Sequence, residues 1–175
     1  MPVNYLGSAK RQFTMYKSLG EKAMAQMDDA TLAWQANENS NSVTAIIKHL
    51  WGNMRSRWTD FLTTDGEKPW RERDTEFEQE NMGREALLKK WEEGWQCLFD
   101  ALNSITDNDL DKIIFIRNEP HTLLEAINRQ IAHYAYHVGQ VVYIAKLNIK
   151  ADWKSLSIPP NKSAEYNAQK YMQGK

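Results

Sequence analysis

Residues 122–147, TLLEAINRQIAHYAYHVGQVVYIAKL, carry the strongest structural signal in the sequence. Thr122 and Glu125 have the spacing of a capping box, which satisfies backbone N–H groups at the start of a helix. Apolar residues then recur every three or four positions, which predicts a helix that runs to about Leu147. One stripe contains Ile127, Ile131, Tyr134, Val138, Val141 and Ala145, and a second stripe beside it contains Ala126, Gln130, His133, His137, Gln140 and Ile144. Because residues 138–145 are apolar almost all round, we predict that this helix is the most buried member of a bundle.

Three further segments show the same helical periodicity, at about residues 4–27, 42–62 and 84–105. Residues 63–80 lie between the second and third of these helices and are polar, with Gly66 and Pro69 among them. We interpret them as an ordered surface connection. Gly94 lies inside the third helix, where glycine costs about 1 kcal/mol relative to alanine, so it predicts close packing against a neighbouring helix.

A short extended segment is predicted just before the last core helix, where Ile113-Ile114-Phe115-Ile116 is followed by Asn118-Glu119-Pro120. After residue 148 the chain has a Pro159-Pro160 stop and then a polar, helical end. The sequence therefore predicts an all-α fold, a four-helix bundle with a short extended segment before the last core helix and a polar C-terminal tail. We expect one domain over residues 1–175, with the core at about 4–147 and the tail at 148–175.

Composition and charge exclude several classes of partner. The 22 basic and 23 acidic residues give a net charge of -1, and no Lys/Arg run suggests a nucleic-acid-binding stripe. The same balance argues against a polybasic membrane anchor, and no stretch approaches the roughly 18–20 apolar residues that span a bilayer. The first 19 residues lack the apolar region of a signal peptide. The single cysteine, Cys97, cannot form an internal disulfide, so we predict a cytoplasmic protein that binds neither nucleic acid nor membrane.

Three of the four histidines are candidate metal ligands. His133 and His137 lie four residues apart, so they project from one face of the last core helix. His49, in the middle of the second helix, is the natural third ligand, and three protein ligands with an open position are the plan of a catalytic zinc site. A His-x-x-x-His pair alone is a weak signal, because core histidines often only hydrogen-bond to a neighbour. Few polar partners are visible near this stripe, however, and one shared cation would satisfy all three rings.

The remaining candidate residues have weaker signals. His121 precedes the capping box, where it is either a ligand, a group that supports the ligands, or a solvated residue at a helix entrance. Cys97 has no basic neighbour in sequence, so we interpret it as a small core residue and not as a nucleophile. Trp51 or Trp58, on the same helix as His49, is expected to line a pocket.

The segment INRQIAHYAYHVGQ at residues 127–140 closely resembles the last core helix of the DinB-like superfamily, which includes bacterial thiol-dependent S-transferases. That superfamily has a histidine in the second helix, here Ile47-Lys48-His49-Leu50, and a His-x-x-x-His followed by Gly-Gln in the fourth. The resemblance covers essentially residues 4–147, and the segments NEPHT at 118–122 and SLSIP at 155–159 look like those of an uncharacterised bacterial subgroup. It implies a four-helix bundle, often dimeric, with nickel or zinc held by His49, His133 and His137.

Two functional hypotheses follow from the residues and the resemblance. The first is a metal-dependent transferase or hydrolase in which the ion activates a small-molecule thiol, such as bacillithiol or mycothiol in the relatives, for attack on an electrophile. Gln140 or Asn53 would then orient the ligands. The second is a non-enzymatic metal-binding or stress-response module with a structural metal, whose closed site would take a fourth ligand from His121 or a carboxylate. The tryptophan-rich helices and the apolar residues of the tail also predict a homodimer.

Overall fold

The computed structural model describes residues 4–78 and 82–173, and these residues are mostly helical. The helices are α1 (Tyr5–Met24), α2 (Asp29–Ala33), α3 (Val43–Trp58), α4 (Arg84–Asn103), α5 (Leu123–Ile149) and α6 (Ser163–Gln173). The strands β1 (Ile113–Ile116) and β2 (Glu119–Thr122) form one small sheet. Short 3₁₀ turns occur at Asp74–Phe77, Asp107–Asp109 and Lys150–Asp152. None of the helices in the described ranges is long and apolar enough to cross a membrane.

Side-chain caps fix where α1, α3 and α5 begin, and they confirm the predicted starts of these helices to within a residue. The Asn4 side chain accepts a hydrogen bond from Gly7 N at 2.6 Å, and Ser42 Oγ accepts one from Ala45 N at 3.1 Å. Thr122 starts α5 with the predicted capping box, since Glu125 N donates to Thr122 Oγ1 and Thr122 N donates to Glu125 Oε2. Each cap satisfies backbone donors that the first turn of a helix leaves unpaired.

The four long helices pack around one hydrophobic core. Helix α3 lies against both α4 and α5, and α1 lies against α5 and α4. The largest side chains fully buried between them are Trp95, Tyr134 and Phe13, whose rings contact one another. The predicted close approach at Gly94 is confirmed, because a Cβ there would lie 3.2 Å from the Trp51 backbone on α3.

The predicted ranking of helix burial is wrong, because α3 and not α5 is the most buried helix. Fourteen of the 16 residues of α3 are buried, against ten of the 27 residues of α5. The buried set on α3 includes Lys48 and Arg57, which a sequence pattern assigns to the solvent face. The connection that follows α3 folds back over this polar face, so the helix is covered on both sides.

The extended segment before α5 is a β-hairpin. Strands β1 and β2 pair antiparallel, with Phe115 opposite Pro120, and their turn consists of Arg117 and Asn118, both at positive φ. Asp65, in the connection after α3, accepts hydrogen bonds from the backbone N–H groups of Arg117 (2.9 Å) and Asn118 (2.7 Å). The hairpin and the connection are therefore joined to each other beside α3 and α5.

Candidate metal centre

The three predicted ligands are brought together between α3 and α5. His133 and His137 lie one turn apart on α5, and His49 faces them from the middle of α3. Their ring nitrogens approach closely: His49 Nε2 is 3.2 Å from His133 Nε2, and His137 Nε2 is 3.1 Å from the same atom. One nitrogen from each ring lies within 4.8 Å of the others, and in the described residues no cysteine or carboxylate joins this group.

The hydrogen bonds on the far side of the rings decide where their protons lie. His49 Nδ1 is 2.9 Å from Glu76 Oε2, and a carboxylate oxygen only accepts, so this nitrogen carries the proton. His137 Nδ1 is 3.3 Å from Gln140 Oε1, which likewise accepts. When the rings are neutral, the Nε2 atoms of His49 and His137 therefore carry a lone pair and no proton. Both atoms face His133 Nε2, which carries at most one proton and can donate it to only one of them. A divalent cation satisfies all three lone pairs, and imidazole donors suit zinc and nickel.

Burial keeps two of the rings in the form that binds metal. It lowers the pKa of His133 to about 3, and the neighbouring His137 and His49 lower it in the same direction. It also lowers the pKa of His137 to about 4, assisted by His49 and opposed by the hydrogen bond with Gln140. Because metal binding requires neutral imidazole, these rings are ready to coordinate at neutral pH without losing a proton.

Glu76 and Arg71 support His49 from behind. The Glu76 carboxylate is 6% exposed and accepts from Arg71 Nε at 2.8 Å and Arg71 Nη2 at 3.0 Å as well as from His49. Burial raises the pKa of Glu76, but the hydrogen bonds from His49 and Arg71 and the Arg71 charge outweigh it, so the pKa lies below its ordinary value. Gly52 leaves room for this carboxylate, since a Cβ there would lie 2.1 Å from Glu76 Oε1.

This carboxylate is one of the site residues that sequence reasoning missed. Glu76 lies in the polar connection after α3, 27 residues beyond His49, where no helical periodicity points to a site. The one available signal is chemical: a metal-binding histidine almost always donates its other N–H group to a carboxylate, carbonyl or water. Arg71 and Glu76 make this connection part of the site and not only a surface link.

A cavity of about 520 Å³ adjoins the three histidines. Its walls contain all three rings, five arginines, three amides and two aromatic side chains: Arg57, Arg71, Arg73, Arg117, Arg129, Asn41, Asn53, Gln130, Phe77 and Tyr136. Asn41 and Tyr136 also line a second cavity of about 320 Å³, which Trp34, Ile144 and Leu147 make more apolar. The cavities are large enough for a small-molecule ligand.

The residues with weaker signals take several positions. Gln140 contacts His137, and Asn53 lines the cavity, where its Oδ1 accepts from the Tyr134 hydroxyl at 3.2 Å. His121 lies on β2 opposite Ile114, outside the cluster, and its buried Nε2 has no hydrogen-bond partner in the part of the chain that the structure describes.

The two tryptophans and the cysteine stay outside the histidine cavity. Trp51 lines a different cavity, and Trp58 is buried beneath the site, where its indole N–H donates to the Tyr134 hydroxyl at 3.2 Å. Cys97 is half-buried and packs against the core, as predicted, with its Sγ 3.7 Å from Thr59 Oγ1. Burial raises the pKa of its thiol, which makes it a poor nucleophile at neutral pH.

The fold and the site together define a class: a mostly helical protein with a buried three-histidine cluster that is compatible with a metal ion. The chain belongs to the family described as protein of unknown function (DUF1572), whose model matches residues 1–162. It has no significant match among curated proteins or solved structures.

Proposed function

We propose that this chain is a DinB-like four-helix bundle that holds one nickel or zinc ion on His49, His133 and His137. We further propose that it uses the ion to transfer a small-molecule thiol onto an electrophile. The observation that carries the proposal is the convergence of three Nε2 atoms, with the His49 ring held from behind by Glu76 and the His137 ring by Gln140. The resemblance of residues 127–140 to the last core helix of that superfamily supports it from the sequence.

The donor set favours an open site over a closed structural one. The cluster in the described residues has three ligands, whereas a structural zinc site is closed by four. His121 lies outside the cluster, and the Glu76 carboxylate hydrogen-bonds to Nδ1 on the far side of the His49 ring. A cavity adjoins the three rings, so a substrate has access to the remaining coordination position.

An ion in this position would supply acidity, because a thiol bound to a divalent metal is deprotonated at neutral pH. The protein's own side chains do the rest. Glu76 and Gln140 hold the rings so that their Nε2 atoms face one another. Gln130 lines the cavity but is only 2% exposed, and its buried carbonyl oxygen has no hydrogen-bond partner among the described residues.

Metal analysis of protein purified without an affinity tag tests the site. We expect about one divalent ion per chain, and loss of that ion in His49→Ala, His133→Ala and His137→Ala. The matched control is His121→Ala, which removes a histidine outside the cluster and should keep the ion. Equal metal content in wild type and the three cluster variants would rule out the site.

A transfer assay tests the reaction. With 1-chloro-2,4-dinitrobenzene, a sulfur–carbon bond forms, chloride leaves with the electrons of the carbon–chlorine bond, and the thiol proton passes to buffer. We expect catalysis with at least one thiol of a panel, lost on chelation and in His49→Ala. No rate above background for any thiol, with fully loaded protein, would reject the transferase. A bound ion whose removal unfolds the protein would instead favour the binding module with a structural metal.

A further inference from the structure

Arginine dominates the charge around the histidine cavity. Five arginines line it, and they come from separate segments: Arg57 at the end of α3, Arg71 and Arg73 in the connection, Arg117 in the hairpin turn and Arg129 on α5. No aspartate or glutamate among the described residues lines the same cavity. Positive charges brought together from separate segments repel each other, and a bound anion between them would relieve this repulsion. Their convergence on one cavity therefore indicates an anion-binding site.

Two of the five arginines have buried side chains that are held by structural partners. Arg57 is buried, donates to the Gly66 carbonyl and lies 3.3 Å from Glu67 Oε2. The Arg71 side chain is 2% exposed and is bound through two nitrogens by Glu76. These pairs hold the connection against α3, so their charges are largely neutralised within the protein.

The other three arginines are available to a ligand. Arg129 is exposed and has no ion pair among the described residues. Arg73 is half-exposed and lies over the Phe77 ring, and the one carboxylate that pairs with it among the described residues, Asp74, is itself fully exposed at 3.9 Å. Arg117 is 55% exposed and shares with Arg57 the Glu67 oxygen at 3.0 Å, so that one carboxylate oxygen serves two guanidinium groups.

The balance of charge determines the kind of ligand. Five arginines face three ion-paired carboxylates, those of Glu67, Glu76 and Asp74, and the Asp65 carboxylate beside the hairpin turn also acts on Arg57. This leaves an excess of about one positive charge before any metal ion is added. The planar guanidinium group matches carboxylate and phosphate oxygens through two parallel hydrogen bonds. We propose that Arg73, Arg117 and Arg129 form an anion-binding subsite for a small molecule with two or more negative charges, a dicarboxylate or a phosphate monoester. The identification of this anion as a charged group of the reacting thiol or electrophile rests on the proposed function. The existence of the subsite does not depend on that function.

Calorimetric titration of the zinc-loaded protein with succinate, inorganic phosphate and uncharged succinamide tests this subsite. We expect both anions to bind and succinamide not to bind, with affinity that falls as potassium chloride is raised. The anion that binds more tightly identifies the ligand as a dicarboxylate or a phosphate monoester. Arg129→Gln is the decisive variant, because this exposed side chain has no ion-pair partner among the described residues whose loss would disturb the fold. It should weaken anion binding by about tenfold or more, because a charge-assisted hydrogen bond to the anion is lost.

Two controls distinguish anion binding by these arginines from a general effect of net charge and from direct coordination to the metal. Arg11→Gln makes the same change of charge on the exposed face of α1, outside this cavity, and should leave the affinity unchanged. Titration of the metal-free protein distinguishes anion binding by the arginines from coordination of the anion to the metal ion. We expect the metal-free protein to bind the anion still, and Arg129→Gln to weaken that binding. Equal affinity in Arg129→Gln and Arg11→Gln, or binding that disappears with the metal, would overturn the subsite.

Metal content and thiol transfer measured on the same variants keep the two proposals apart. Arg129→Gln should retain its ion, because the arginine is not one of the three ligands. Arginine-dependent anion binding without thiol transfer supports the subsite and rejects the transferase. Thiol transfer by a protein that binds succinate no better than succinamide overturns the subsite and leaves the transferase standing.

Discussion

Replacing Glu76 with glutamine is expected to weaken metal binding at a cluster in which it is not a ligand. The two carboxylate oxygens accept three hydrogen bonds, from His49 Nδ1 at 2.9 Å and from Arg71 Nε and Nη2 at 2.8 and 3.0 Å. Glutamine has one carbonyl oxygen, so its NH₂ group must face a donor of either His49 or Arg71. The His49 ring loses its fixed orientation, or the buried Arg71 loses part of its partner.

The magnitude follows from the burial of this group. Breaking a buried ion pair by removing one partner costs about 3–5 kcal/mol, and because glutamine keeps one acceptor we expect a loss of about 2–4 kcal/mol in the free energy of unfolding. Loss of a carboxylate that orients a histidine ligand lowers metal affinity by about 10–100-fold, which is about 1.4–2.7 kcal/mol. Gly52→Ala should act in the same direction without changing any charge, since its Cβ would lie 2.1 Å from Glu76 Oε1 and displace the carboxylate.

Zinc affinity measured by competition with a chromophoric chelator, together with urea unfolding of the metal-free protein, provides both quantities. Glu72→Gln is the matched control, because Glu72 is an exposed carboxylate in the same connection and should leave both values within error of wild type. A zinc affinity in Glu76→Gln within twofold of wild type would refute the role given to this carboxylate. A loss of stability without a loss of zinc affinity would show that Glu76 stabilises the fold through Arg71 and does not orient His49 for metal binding.

Other parts of the molecule carry further predictions. Gly94→Ala should destabilise the protein by about 1–3 kcal/mol in urea unfolding, because its Cβ would press on the Trp51 backbone at 3.2 Å, whereas Gly139→Ala, with open space around it, should stabilise by about 0.5–1 kcal/mol. Cys97→Ser should leave any thiol transfer unchanged, since burial raises the pKa of that thiol, and a loss of rate in steady-state assays would contradict this. Light scattering should give about 41 kDa, a dimer of the 20.4 kDa chain, because Tyr143 and its neighbours leave apolar surface exposed on α5, and a value near 20 kDa would contradict it.

The starts of the long helices were predictable because capping chemistry is local. Ser42 and Thr122 each cap the helix that the periodicity predicts after them. The ends were less predictable: the second helix was predicted to reach about residue 62, but α3 stops at Trp58, because Thr59 is extended and Asp60 takes a positive φ. Helix α2 was not predicted, since five residues are too few to show a period.

In the candidate site, too, the residues that local sequence patterns indicate were predictable, and the residues placed by long-range contacts were not. His133 and His137 share a helix face by spacing alone, and His49 was inferred from its place in a second helix, so the cluster itself could be anticipated. Glu76 and the arginines could not, because most of them lie in a connection and a hairpin whose positions depend on tertiary contacts such as that of Asp65 with the turn. Polar residues in such segments look solvated in a sequence, although here several of them are buried.

His49 and His133 lie 84 positions apart in the sequence, so bringing them together closes a long loop and costs chain entropy. Closing a loop of that length costs a flexible chain about 4 kcal/mol, and this cost is met only when α5 has docked against α3. An ion bound by histidines of both helices would therefore cross-link α3 to α5. This cross-link would form late in folding and would then oppose the detachment of α5. Amide hydrogen exchange should then slow along α5 when the ion is bound, while the exposed helix α6, which contributes no ligand, exchanges as before.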